Sequence, residues 1–109
     1  MKRYCLTLDL KDDAQLIAEY EAHHHAVWPE IKESITGAGI TAMEIYRLGT
    51  RLFMIMDTTD EFSFEHKAAM DEGNAKVQEW EALMWKYQQP LKEAVAGEKW
   101  MLMDNIFTL

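Results

Sequence analysis

At 109 residues the chain is long enough for one domain, residues 1–109, with one modest core. Nineteen acidic side chains against eleven basic ones give a net charge of -8, which repels phosphate backbones and anionic lipid and argues against nucleic acid and membrane partners. The single Cys5 leaves no internal disulfide, no apolar run reaches transmembrane length, and MKRYCLTLDLKDD lacks the character of a signal peptide, so a cytoplasmic location is expected.

Residues 2–10 alternate with period two and predict a strand. Asp12 or Asp13 then caps a helix from about Ala14, and Pro29 predicts a kink or restart near Trp28. Gly37 and Gly39 end that helix. Residues 40–47 and 52–58 predict a hairpin around Leu48-Gly49-Thr50. Asp60 is expected to open a further helix, which Gly73-Asn74 interrupts and residues 75–87 continue. Residues 90–99 read as loop and 100–108 as a last strand.

The order β-α-β-β-α-β is the ferredoxin-like split βαβ pattern, an α+β fold with an antiparallel sheet. Two helices can cover only one face of that sheet, yet LFMIM at 52–56 is apolar on both. Trp85, Trp100 and the methionine-rich ends add to this excess. A homodimer with facing sheets is expected.

Tyr20, His24 and Trp28 recur every four residues, which on one continuous helix stacks a phenol, an imidazole and an indole on one face. Leu16, Ile17, Val27, Ile31 and Ile35 make the rest of that face apolar. The run His23-His24-His25 does not suggest a metal site, because successive helical residues point about 100° apart. Cys5 reads as a packing residue. With an ordinary pKa of about 6.5, His24 can act as a general acid or base near neutrality. From the helical pattern alone a satisfied core histidine is the commoner reading. Trp80, Trp85 and the methionines, taken singly, also read as core. No glycine-rich phosphate loop, nucleophile elbow or CxxC pair is present, and no cofactor is expected.

The run Tyr20-x-x-x-His24-x-x-x-Trp28-Pro29-Glu30, with Gly39, Ile45-Tyr46, Leu52-Phe53 and Val77-Gln78-Glu79-Trp80, resembles the L-rhamnose mutarotase family, which includes related L-fucose mutarotases. The resemblance covers nearly the whole chain. It implies a ferredoxin-like βαββαβ fold of the dimeric α/β-barrel type. It also implies interconversion of the α and β anomers of a 6-deoxy-hexose without a cofactor. The family's catalytic histidine, a proton donor, falls on His24, its substrate-binding tyrosine on Tyr20, and one sugar-binding tryptophan on Trp80. Two positions depart: Met43 stands where the rhamnose enzymes carry a second tyrosine, and Glu81 where they carry a second tryptophan. L-fucose and L-rhamnose therefore both stay open as substrate.

On this reading His24 exchanges a proton at the ring oxygen, Tyr20 holds the hydroxyl edge, and Trp80 holds the apolar face. Met43, Met54 and Met56 surround the C6 methyl. Glu81, Glu44 or a water is the second acid/base group. Trp28 is expected to pack and to set the helix kink. A small ferredoxin-like oxygenase and a non-catalytic sugar-binding module are the alternative functions.

Overall fold

A computed structural model describes all 109 residues. The elements run β1 (Lys2–Leu10), α1 (Ala14–His24), α2 (Pro29–Gly37), β2 (Ile40–Leu48), β3 (Arg51–Thr58), α3 (Phe64–Glu72), α4 (Ala75–Trp85), β4 (Gln88–Gln89) and β5 (Met101–Leu102). The strands form an open antiparallel sheet in the order β2-β3-β1-β4, with β5 also paired to β1. This is the expected ferredoxin-like α+β order; the sheet of the single chain is not a closed barrel.

Local chemistry explains each helix start. The Asp13 side chain accepts from the backbone N–H of Leu16 at 3.0 Å, capping α1. Pro29 occupies the first turn of α2, where no backbone donor is lost. Of the kink or restart expected here, the structure shows the restart, with Trp28 at the N-cap of α2. α1 stops at His24, so Trp28 lies beyond its end and the expected three-residue ladder on one helix is broken. Ser63, not Asp60, caps α3 by accepting from His66 N–H at 2.9 Å, because its hydroxyl stands one residue before the first helical turn. Asn74 caps α4, which ends at Trp85, so Tyr87 and Gln88 leave it to reach the sheet.

The expected last strand is much shorter than residues 100–108. Only Met101–Leu102 pair with β1, at Thr7 and Leu6, on the edge that Gln88–Gln89 share at Leu10 and Asp9; Met103 N–H adds one bond to the Cys5 carbonyl at 2.8 Å, and the ladder ends there. Ile106, Phe107 and Leu109 are exposed.

Alternation divides the sheet into two faces. Leu6, Leu8 and Leu10 of β1 and Leu52, Met54 and Met56 of β3 are buried beneath the helices. All of these but Leu8 join Tyr20, Ile31, Val77, Trp80, Met84 and Tyr87 in two adjoining core clusters that Trp100 and Ile35 touch in common. The opposite face carries Cys5 and Thr7, Phe53 and Ile55, and Glu44, Tyr46 and Leu48, paired across the strands.

Gly39 links α2 to β2 at φ 98°, a left-handed conformation that side chains disfavour. A Cβ there would stand 2.9 Å from the Thr59 hydroxyl oxygen. Gly39→Ala is expected to destabilise the protein by about 1–3 kcal/mol, read as a lower midpoint in urea. An unchanged midpoint would show that the connection tolerates a side chain.

Candidate active site

A cavity of about 470 Å³ opens between the inner face of the sheet and the helices. Tyr20 and His24 reach it from α1, Trp80, Glu81 and Met84 from α4, and Met43, Met54 and Met56 from β2 and β3. Of the residues singled out from the sequence for the site, Tyr20, His24, Met43, Met54, Met56, Trp80 and Glu81 therefore line one space, and Glu44 does not. Fifteen of the 21 lining residues are hydrophobic, so the polar groups are few and stand out.

His24 is half-buried, with its ring 4.4 Å from that of Tyr20 and 5.8 Å from that of Trp80, centroid to centroid. Its Nδ1 lies 2.8 Å from the Tyr20 carbonyl oxygen. A carbonyl only accepts, so Nδ1 carries the proton and donates. In the neutral ring, Nε2 then keeps a free lone pair. Burial is the main cause that lowers the His24 pKa below its ordinary value; the carbonyl bond opposes it, and His23 and His25 add to the lowering. His24 is thus a neutral ring with a basic nitrogen at pH 7. Burial also raises the Tyr20 pKa, which keeps its phenol protonated.

The three consecutive histidines diverge. His23 donates from Nε2 to the Tyr87 hydroxyl at 3.2 Å, which itself donates to Glu19 at 3.0 Å. His25 lines a second recess beside Arg47 and Glu21, which Tyr20 and His24 also border. No group of three or more His, Cys, Asp or Glu side chains is placed to hold a metal ion. Trp28 does not line the main cavity. Its ring packs edge-on against Trp80 at 5.1 Å, which braces the indole that does.

Glu44 cannot serve the cavity, contrary to its place among the candidate partners. It is exposed on the opposite face of the sheet and accepts from the Tyr46 hydroxyl at 2.9 Å. The period-two alternation of β2 already puts Glu44 and Met43 on opposite faces. Glu81, in contrast, lines the cavity and pairs with Lys99 at 2.7 Å.

Lys99, Trp100, Lys67 and Gln88 also line the cavity and were not assigned to it from sequence. Lys99 and Trp100 arrive on the segment after β4. Lys99 Nζ latches that segment to α4 by donating to the Glu81 carbonyl at 3.0 Å as well as to its carboxylate. The alternation of Trp100 with Met101 was the available signal for an inward indole. Gln88 gave none.

A sequence model of the L-rhamnose mutarotase family matches residues 3–109. The chain belongs to that family. It is 47% identical over 111 residues to the L-fucose mutarotase of Xanthomonas campestris pv. campestris, across 100% of this chain and 89% of that relative. It is 32% identical over 96 residues to the L-rhamnose mutarotase of Bacteroides thetaiotaomicron, across 85% of this chain and 82% of that relative. The backbone matches the crystal structure of an L-rhamnose mutarotase from Formosa agariphila with a TM-score of 0.72 over 100% of this chain and 99% of that one. At 15% identity that last likeness concerns the fold. Mutarotase family membership does not favour the oxygenase or the non-catalytic sugar binder.

Proposed function

We propose that this protein is a mutarotase that interconverts the α and β anomers of L-fucose. The observation that carries the reading is a neutral histidine, its Nδ1 tied to backbone and its Nε2 free, on the wall of an apolar cavity of monosaccharide scale. The higher identity to the L-fucose enzyme supports L-fucose over L-rhamnose. So does the presence of Met43 and Glu81 where the rhamnose enzymes carry aromatic residues. The two sugars differ in the orientation of their C2 and C4 hydroxyls, and a pocket built to read one arrangement leaves polar groups unpaired against the other.

In this mechanism His24 Nε2 takes the proton of the anomeric hydroxyl as the ring opens. The Glu81–Lys99 pair supplies a proton at the ring oxygen. The C1–C2 bond of the aldehyde rotates, the ring oxygen attacks the other carbonyl face, and both protons return. His24 is then a proton donor in the closing step. Its basic state at pH 7 moves it from the ring oxygen, the atom expected for it from the sequence, to the anomeric hydroxyl, where it accepts first. Tyr20 donates to a sugar hydroxyl, Trp80 lies against the C–H face, and Met43, Met54 and Met56 enclose the C6 methyl. The reaction as drawn calls on no cofactor.

The functional unit in this reading is residues 1–109 as one domain, working in the cytoplasm as a homodimer through the outer sheet face. What supports the dimer is the uncovered apolar row of that face. Tyr46 is 53% exposed beside Phe53, and Leu48 is 85% exposed. No helix is long and apolar enough to cross a membrane. Tyr46→Asp is expected to shift the protein from dimer to monomer in sedimentation. A variant that sediments like the parent dimer would move the interface elsewhere, and a monomeric parent would remove it.

The substrate assignment is tested by kcat/KM for the two sugars, from anomer-exchange rates at several sugar concentrations. L-fucose is expected to be preferred by about tenfold or more. A preference for L-rhamnose would overturn that part of the reading.

A further inference from the structure

We infer that Gln88 is a specificity-determining residue of the cavity, whose side-chain amide hydrogen-bonds one ring hydroxyl of the bound sugar. The inference rests on the mutarotase reading for the identity of the ligand. Gln88 is 3% exposed and lines the cavity at the start of β4, opposite Leu10. Its Nε2 donates to the Tyr20 hydroxyl over a long 3.4 Å. Its Oε1 is buried without any hydrogen-bond partner. Turning the amide end for end gives Tyr20 the oxygen and leaves the NH₂ unpaired, so one polar end lacks a protein partner in either orientation.

Apart from the Tyr20–His24 pair, the other polar side chains around the cavity differ in this respect. Lys67 is held by Asp71 at 2.6 Å, Glu81 and Lys99 hold each other, and the Ser34 hydroxyl donates to the Ile31 carbonyl at 2.8 Å. A buried amide left unpaired is costly, and native interiors rarely keep one without a reason. A sugar hydroxyl both donates and accepts, so it satisfies the free end of Gln88 in either orientation. Because Gln88 also bonds Tyr20, whose ring packs at a tilt against that of His24, this contact sets the sugar's register against the proton-transfer group.

The test pairs Gln88→Met with L-fucose analogues that each lack one hydroxyl. Affinity is read by quenching of the Trp80 and Trp100 fluorescence, and exchange by NMR. In the parent, one deoxy analogue should bind roughly 10- to 100-fold more weakly than L-fucose. In Gln88→Met, L-fucose should fall to the level of that analogue, and the analogue itself should lose nothing further. Gln88→Asn withdraws the amide by about 1.5 Å and should give the same levelling if the methionine variant does not fold. Equal weakening of every analogue, or no change for any, overturns the inference and makes Gln88 a packing residue while exchange continues. Levelling without exchange above the buffer rate keeps Gln88 as a reader of the sugar and removes the mutarotase reading. A parent that binds none of the sugars ends both.

Discussion

Replacing His24 with alanine lowers the rate of anomer exchange by roughly 10²- to 10⁴-fold while the protein stays folded. The loss is large because His24 carries the accessible base of the cavity. Its Nδ1 is committed to the Tyr20 carbonyl, and Tyr20 itself holds its proton at neutral pH. The fold survives because the ring is only half-buried and Tyr20 and Trp80 keep other partners in Tyr87 and Trp28. Burial, the main cause of the shift, places the folded-state pKa of His24 below its ordinary value. The basic form therefore persists below the pH at which a free histidine would charge. Parent activity should hold through neutrality and fall only as pH drops through that lowered value, and the His24→Ala variant should lose this acid limb. Stability follows the same direction. Between the lowered folded value and the ordinary one the unfolded chain binds more protons, so this contribution is present above the ordinary value and is lost as pH falls through the folded one. Full activity in a folded His24→Ala protein would remove His24 from the mechanism.

Trp80→Ala costs about 3–5 kcal/mol of stability and is the most damaging substitution expected at the cavity. The indole is 8% exposed and sits where α4 meets α1 and α2, touching the rings of His23, His24 and Trp28. Removing it leaves a void under all three. Trp80→Phe keeps an aromatic face and should cost roughly 1–2 kcal/mol. Together the two variants separate folding from recognition. The phenylalanine protein should remain active with a raised KM, because a smaller ring still covers the C–H face of the sugar. Urea denaturation and exchange kinetics on the pair provide the check. An alanine variant as stable as the parent would show that the indole is not the centre of this packing.

Much of the site was legible because strand and helix periods carry it. Tyr20 and His24 lie one turn apart on α1, and the alternation of β3 sends Met54 and Met56 to the same cavity. The β2–β3 hairpin was legible from Gly49, which takes φ 59° in the two-residue loop closed by Leu48 and Arg51. Trp28 packs as its sequence context suggested, but it leaves the ladder with Tyr20 and His24 because α1 ends a full turn before the restart at Pro29. The C-terminal segment was less readable. Its order comes from single long-range contacts, such as Lys99 with Glu81, rather than from a repeat. Gln88 belongs to a two-residue strand, too short for any period to appear, and its burial follows from where α4 delivers the chain to β1.

The most direct test of the central claim is saturation transfer between the α and β anomeric protons of L-fucose in the presence of the parent protein. The transfer rate should rise in proportion to protein concentration. A rate that stays at the buffer value at every protein concentration would contradict the account.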